Sequence, residues 1–257
     1  MELLIKHNHG VCEIKLNRPE VFNSFNKSMA LALQKALDDC EQNDEVRAIV
    51  ITGEGKAFCA GQDLAEATDP NGPELKMIVR EHYNPIIERI RNIEKPIIAA
   101  VNGVAAGAGA NIALACDITI AKKSASFIQA FSKIGLIPDS GGTFFLPRII
   151  GSQKALALMM TGDKVSAEEA DKMNMIYKAV DDEMFENEVL TFSQNLAKMP
   201  TKGLGLTKKA VNQSFSNTLT EQLNVEEILQ TEAGKTYDFN EGVTAFIEKR
   251  KPVFKGN

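Results

Sequence analysis

The sequence contains no tryptophan and only three histidines and four cysteines in 257 residues. The chain therefore has few histidines for chemistry that depends on a histidine cluster. His7 and His9 could form a pair of metal ligands, but we expect them to be surface residues of a hairpin. The cysteines are widely spaced and form no CxxC pair, which argues against a zinc site or a disulfide framework. We expect reduced thiols, no bound metal and a cytoplasmic protein. The four are Cys12, Cys40, Cys59 and Cys116.

Long apolar runs and an excess of basic residues are also missing. No run is long enough to span a bilayer, and residues 1–6 lack the basic stretch that opens a secretory signal. The chain has 29 Lys and Arg against 34 Asp and Glu, a net charge of −5. Such a chain lacks the basic surface that duplex nucleic acid requires. We expect neither a membrane nor a nucleic-acid partner.

The patterns that are present predict an α/β fold. Hydrophobic residues make up 44% and charged residues 25%, a globular composition. Strand and helix patterns alternate in the first half, and helices dominate the second. We expect a core over residues 1–200 and a helical region over 201–257 in the same structural unit. We predict a hairpin over 2–17 and strands at 46–52, 96–101, 117–121 and 125–128. A helix that follows the small residues at 103–109 is expected to end near residue 115. The other predicted helices are 28–39, 74–92 (bent at Pro85), 142–148, 152–161, 167–173, 182–199, 201–215, 219–234 and 239–249.

Two stretches of small residues follow predicted strands. Residues 57–64 come after the first buried strand, and residues 102–110 come after the second. Small residues let another group approach the backbone, and the second stretch opens a helix whose free N–H groups favour negative charge. Two such turns side by side would direct two N–H groups at one carbonyl oxygen, as in an oxyanion hole. Tight strand–helix packing without a ligand is the alternative, and neither stretch has the Lys-Ser or Lys-Thr of a phosphate-binding loop.

A third stretch, residues 135–143, places one carboxylate in an otherwise apolar run. Asp139 or Ser140 could cap a helix that begins near residue 142. Alternatively, Asp139 is a general base whose pKa is raised by its apolar surroundings.

Together these stretches resemble the crotonase, or enoyl-CoA hydratase/isomerase, superfamily over nearly the whole chain. The resemblance implies a spiral of repeated ββα turns with C-terminal helices used in trimerisation, so a homotrimer or a dimer of trimers is expected. It also implies an acyl-CoA substrate. The motifs that carry it are Leu16-Asn17-Arg18-Pro19, Asn23-Ser24-Phe25-Asn26, residues 58–64, residues 103–109, residues 242–246 and Lys249-Arg250-Lys251.

The resemblance also implies the site residues. The two oxyanion N–H donors fall at Gln62 and Ala108. Since the Gln62 donor belongs to the backbone, replacing its side chain is expected to matter little unless the turn distorts. No cofactor is expected, because coenzyme A is part of the substrate. Lys249 matches a basic residue that approaches the CoA phosphates, although a solvated helix-end charge is the alternative. The other residues expected to bind the substrate or its CoA are Ala60, Gly61, Asp63, Leu64, Gly107 and Phe131.

The acid–base positions argue against water addition. Hydratases of this superfamily carry two glutamates, and the matching positions here are Asn111 and Phe131. Asp139 remains as the catalytic carboxylate. Related dehalogenases use a histidine at the position of Asn84, whereas His82 lies two residues away on another helix face. We therefore expect His82 to be a surface or interface residue.

Within the superfamily, the sequence resembles the ring-1,2-epoxyphenylacetyl-CoA isomerases of phenylacetate degradation. This resemblance implies conversion of the ring epoxide to an oxepin-CoA through a proton shuttle by Asp139. A Δ3,Δ2-enoyl-CoA isomerase of fatty-acid oxidation is the first alternative, and a weakly active scaffold that partners an enoyl-CoA hydratase is the second. Phe131 and Phe144 fit an aromatic acyl group but fit a core equally well. The segments that carry the resemblance are Tyr83-Asn84-Pro85 and residues 102–110, 130–139, 203–206 and 217–219.

Overall fold

Two β-sheets organise the structure, a computed structural model that describes residues 1–257. The larger sheet has six strands in the order β1-β2-β3-β5-β7-β10, and the smaller has the order β4-β6-β8-β9. Neighbouring strands are parallel except in the pairs β1–β2 and β8–β9. The strands are β1 (Leu3–Asn8), β2 (Val11–Leu16), β3 (Ala48–Gly53), β4 (Ala57–Cys59), β5 (Ile97–Val101), β6 (Val104–Ala106), β7 (Ile118–Lys122), β8 (Ser126–Ile128), β9 (Lys164–Ser166) and β10 (Lys178–Val180).

Helices connect the strands and form the C-terminal region. None of them has both the length and the apolarity needed to cross a membrane. They are α1 (Lys27–Gln42), α2 (Leu64–Ala67), α3 (Leu75–Met77), α4 (Asn84–Asn92), α5 (Ala108–Ala115), α6 (Gly142–Ile150), α7 (Ser152–Thr161), α8 (Ala167–Lys172), α9 (Phe185–Ala197), α10 (Thr201–Ser214), α11 (Leu219–Ala233) and α12 (Tyr237–Glu248).

The first half of the chain repeats one unit. A strand in the larger sheet is followed by a short strand in the smaller sheet and then by helix, and β3–β4, β5–β6 and β7–β8 are successive examples. Strands β3 and β5 are buried along their whole length, which explains their continuous apolar runs. The repetition confirms the predicted ββα spiral and places the ends of β4 and β6 beside each other.

Apolar packing on both faces holds the larger sheet. On one face, side chains of β2, β3 and β5 join α1 and α4 in the main core. On the other face, Val50, Ile98 and Ile120 pack against Phe185 and Val189 of α9. The main core also includes Phe58 of β4 and Ala105 of β6, so it supports the turns that leave these two strands.

Two local features differ from the prediction. Strands β4, β6, β9 and β10 were not predicted, because three residues are too few to show a period in the sequence. Strand β8 is equally short but lies within the strand predicted at 125–128. The single helix predicted over 74–92 is instead three segments: α3, a π-helical segment over Ile78–Tyr83, and α4. Pro85 lies in the first turn of α4, where its missing N–H is not needed.

Candidate active site

The first site turn follows β4 and carries Gln62. Gln62 pairs with Phe25 in an isolated parallel bridge. The Phe25 N–H donates to the Gly61 carbonyl at 2.7 Å, and the Asp63 N–H donates to the Phe25 carbonyl at 2.8 Å. In this parallel pairing the Gly61 carbonyl and the Asp63 N–H both face Phe25. The N–H of Gln62, which lies between them, therefore points away from Phe25. It donates to no acceptor in the chain and is available to a ligand.

The second turn follows β6 and leads into α5. Gly107 has a φ of +53°, and its N–H donates to the Ile128 carbonyl at 2.9 Å. Ala108 is the first residue of α5, so its N–H has no acceptor within the helix.

The two turns are in direct contact. Strands β4 and β6 are parallel neighbours, so both turns leave the same edge of the smaller sheet. A Cβ built on Gly61 would lie 3.0 Å from the Ala106 carbonyl oxygen and 3.5 Å from the Ala108 nitrogen. Gly61 also has a φ of +97°, which side-chain-bearing residues rarely adopt. Glycine at this position therefore allows the predicted donors at Gln62 and Ala108 to lie side by side.

Asp139 lies in the loop before α6, and its side chain does not cap that helix. The N-terminal cap of α6 is Gly141, with no side-chain hydrogen bond, so the capping alternative for Asp139 and Ser140 is wrong. The Ser140 hydroxyl donates to the Asp139 carboxylate at 2.9 Å. Burial raises the pKa of Asp139 above its ordinary value, and the Ser140 hydroxyl only partly opposes this effect. A carboxylate with a raised pKa is a stronger base than a solvated one.

A buried amide pair fixes the backbone of this loop. The Asn111 Nδ2 donates to the Asp139 carbonyl at 2.8 Å, and the Gln129 Nε2 donates to the Asn111 Oδ1 at 2.8 Å. Asn111 is fully buried and Gln129 nearly so. Asn111, where the resemblance places a hydratase glutamate, therefore holds the loop that carries Asp139. No periodic pattern in the sequence identifies Gln129, which lies 18 residues from its partner Asn111.

Phe131 and Gly107 form a further contact of the site. Phe131 is buried, and its Cζ lies 3.8 Å from a Cβ built on Gly107. The ring therefore covers the second turn, at the other position where hydratases carry glutamate. An aromatic ring there excludes water and supplies no acid or base.

The remaining predicted binding residues have different surroundings. Ala60 and Leu64 are exposed beside the first turn. Asp63 is engaged within the chain, because its carboxylate accepts from Arg18 at 2.8 Å and from the Ala65 N–H at 3.0 Å. Lys249 follows α12 with an exposed side chain and a φ of +55°. Its contact with CoA stays a prediction.

No role was predicted for Tyr83 from the sequence, and its neighbour His82 was predicted in an incorrect position. The Tyr83 hydroxyl donates to the Gln62 Oε1 at 2.8 Å. Burial raises the pKa of Tyr83, and the negative charge of Asp139 adds to this effect. Tyr83 thus belongs to the site, although the sequence marked it only as part of the segment Tyr83-Asn84-Pro85. The expected surface position of His82 is wrong, because His82 is buried and neither ring nitrogen has a hydrogen-bond partner. Burial lowers the pKa of His82 and favours the neutral ring.

The arrangement combines two adjacent backbone donors, one carboxylate with a raised pKa and an aromatic cover. Donors of this kind stabilise the negative charge that develops on a carbonyl oxygen. The carboxylate can remove a proton beside that carbonyl and return it elsewhere. The site is therefore suited to proton transfer next to a polarised carbonyl.

Comparisons with known proteins agree with this architecture. A family model described as enoyl-CoA hydratase/isomerase matches residues 6–257. The chain is 48% identical to 1,2-epoxyphenylacetyl-CoA isomerase of Escherichia coli (strain K12), over 100% of this chain and 99% of that protein. It is 46% identical to a Rhodobacter capsulatus protein named "Probable enoyl-CoA hydratase", over 97% and 96% of the two chains. A crystal structure of enoyl-CoA hydratase from Bacillus anthracis superposes with a TM-score of 0.93 at 32% identity, covering 100% of both chains. The chain therefore belongs to the enoyl-CoA hydratase/isomerase family and has the crotonase fold.

Proposed function

We propose that this enzyme is an acyl-CoA isomerase that converts ring-1,2-epoxyphenylacetyl-CoA to oxepin-CoA. The observation that carries the proposal is the Asp139 carboxylate, which has a raised pKa and accepts from the adjacent Ser140 hydroxyl. The loop that carries it is bound by Asn111 of α5, the helix that begins at Ala108. The nearby carboxylate of Asp63 is bound to Arg18, and that of Glu66 is bound to the Lys27 N–H. The name of the Escherichia coli relative supports the choice of acyl group.

In the proposed reaction, the thioester oxygen accepts hydrogen bonds from the N–H groups of Gln62 and Ala108. These bonds acidify the α-carbon, and Asp139 takes the α-proton as negative charge grows on the oxygen. The charge then delocalises into the ring, and the bond between the two epoxide carbons breaks to give the seven-membered oxepin. Asp139 returns the proton further along the conjugated system. The product is an isomer of the substrate, so one carboxylate suffices.

The same site is poorly equipped to add water. Hydration needs groups that orient and activate a water molecule. The Asn111 amide is occupied by the Asp139 carbonyl and by Gln129, and Phe131 has no acid or base. A Δ3,Δ2-enoyl-CoA isomerase would use the same Asp139 shuttle, so only a substrate comparison separates the two isomerases.

Three CoA thioesters test the proposal: crotonyl-CoA, 3-hexenoyl-CoA, and ring-1,2-epoxyphenylacetyl-CoA generated in place by its epoxidase. We expect turnover of the epoxide with unchanged mass and an altered ultraviolet spectrum, and little hydration of crotonyl-CoA. Mass spectrometry measures whether water is added to each thioester, and ultraviolet absorbance measures the change in conjugation. Turnover of 3-hexenoyl-CoA in preference to the epoxide would assign the enzyme to double-bond isomerisation. Rapid water addition to crotonyl-CoA would contradict the Asp139 shuttle.

We also propose that the enzyme assembles as a homotrimer or a dimer of trimers through its C-terminal helices. Helices α11 and α12 expose apolar side chains in a single chain, and such surfaces usually become interfaces. Sedimentation equilibrium is expected to give three or six times the chain mass of 28.1 kDa. A mass of one chain at micromolar concentration would contradict the assembly. The exposed apolar residues of these helices are Leu219, Leu223, Ile228, Tyr237, Phe239, Val243, Phe246 and Ile247.

A further inference from the structure

The side chain of Gln62 is held at both ends, although its proposed catalytic group is a backbone N–H. Tyr83 donates its hydroxyl hydrogen to the Gln62 Oε1 at 2.8 Å. The Gln62 Nε2 donates to the Glu66 Oε2 at 3.0 Å. An ionised carboxylate only accepts hydrogen bonds, so the contact with Glu66 determines which end of the amide faces Tyr83.

Glu66 is itself bound to the start of a long helix. The Lys27 N–H, at the first residue of α1, donates to both Glu66 carboxylate oxygens at 2.9 and 3.2 Å. The N-terminus of a helix favours a negative charge. Helix α1 has 16 residues and packs in the main core. Glu66 therefore connects Gln62 to a rigid part of the fold.

Tyr83 is equally constrained. It is 1% exposed, and its ring meets that of Phe25 edge to face with centroids 5.9 Å apart. Burial raises the pKa of Tyr83 well above its ordinary value, so the hydroxyl keeps its proton and remains a donor. Tyr83 ends the π-helical segment, which Gln34 of α1 secures by donating to the carbonyls of Glu81 and His82 at 2.8 and 3.2 Å.

We propose that Tyr83 is a positioning residue that directs the backbone N–H of Gln62 by holding the Gln62 side chain. On one side of this N–H, the peptide is fixed by the bond from Phe25 to the Gly61 carbonyl. On the other side, the Cα of Gln62 is fixed by the bonds of its side chain to Tyr83 and Glu66. An oxyanion donor is effective only when its direction is set before the charge develops. This role rests on the proposed function, because it requires Gln62 to bind the thioester oxygen.

The variant Tyr83→Phe tests this role, since it removes the hydroxyl and keeps the buried ring. We expect kcat for isomerisation to fall about 10-fold because the donor is misdirected, with KM changed less than about 2-fold. The carbonyl stretch of bound phenylacetyl-CoA, measured by isotope-edited infrared difference spectroscopy, should shift less than in the wild type. Tyr177→Phe is the matched control, because Tyr177 is exposed on the surface. It should leave both readouts unchanged.

A second variant and the wild-type spectrum separate the outcomes. Gln62→Met removes the amide that Tyr83 binds, so the double variant should lose no more kcat than Gln62→Met alone. Losses that multiply in the double variant would overturn the role, as would a wild-type carbonyl shift in Tyr83→Phe. If Tyr83→Phe does not fold, a full carbonyl shift in Gln62→Met would overturn it instead. A wild-type enzyme that does not shift the carbonyl band at all would contradict the proposed oxyanion hole itself.

Discussion

Replacing Asp139 by asparagine is expected to lower kcat for isomerisation about 1,000-fold, within the range of a lost general base. The substitution keeps the size of the side chain and removes only its ability to take a proton. Binding of phenylacetyl-CoA should change little, because the proposed contacts of the thioester oxygen lie at Gln62 and Ala108. Stopped-flow absorbance gives kcat, and isothermal titration calorimetry gives the dissociation constant.

The pH dependence supplies a second signature of the same group. Burial raises the pKa of Asp139, and a base acts only when it is ionised. The wild-type kcat/KM should therefore reach its maximum above the raised pKa and fall as the pH decreases through that pKa. This fall should occur at a higher pH than it would for a solvent-exposed aspartate. Asp163→Asn, at an exposed residue, is the matched control and should keep both the rate and the pH profile. Normal turnover by a folded Asp139→Asn enzyme would exclude the shuttle.

Much of the fold was predictable because its main elements carry long or repeated signals. The buried strands β3 and β5 contain continuous apolar runs, which predicted them. The turn of the hairpin lies at His9 and Gly10, as the sequence indicated. The short strands β4 and β6 were missed, since a strand of three residues is too short to show an alternating pattern. Their pairing depends on contacts across the sheet between residues more than 40 positions apart.

The candidate site divides in the same way. The turns at Gln62 and Ala108 were predictable because small residues allow a close backbone approach, and that requirement is local. Asp139 stood out as a single carboxylate among apolar residues. The groups that hold these residues come from elsewhere in the chain: Asn111 lies 28 residues from Asp139, and Tyr83 lies 21 residues from Gln62. No spacing rule connects such pairs before the chain has folded.

The contact between the two turns leads to the second large expected effect. Gly109 lies in the first turn of α5, against the end of β4. A Cβ on Gly109 would lie 2.4 Å from the Cys59 carbonyl oxygen and 2.7 Å from both the Cys59 Cβ and Sγ. These atoms are buried, so β4 and α5 must move apart to admit a methyl group. The movement separates the turns that carry Gln62 and Ala108.

Gly109→Ala is therefore expected to destabilise the fold by about 3 kcal/mol, as overpacking does, and to lower Tm by roughly 6–12 °C. The kcat for isomerisation should fall about 100-fold, because a displacement of about 1 Å is enough to misplace reacting groups. Gly203→Ala is the matched control in α10, where the nearest atoms to the new methyl would be Pro200 carbons at 3.9 Å. Since alanine favours a helix over glycine by up to about 1 kcal/mol, this control should keep kcat and hold or raise Tm. Calorimetry and steady-state kinetics on both variants decide the matter. A Gly109→Ala enzyme with wild-type Tm and kcat would show that close contact between Cys59 and α5 is not what keeps the two donors together.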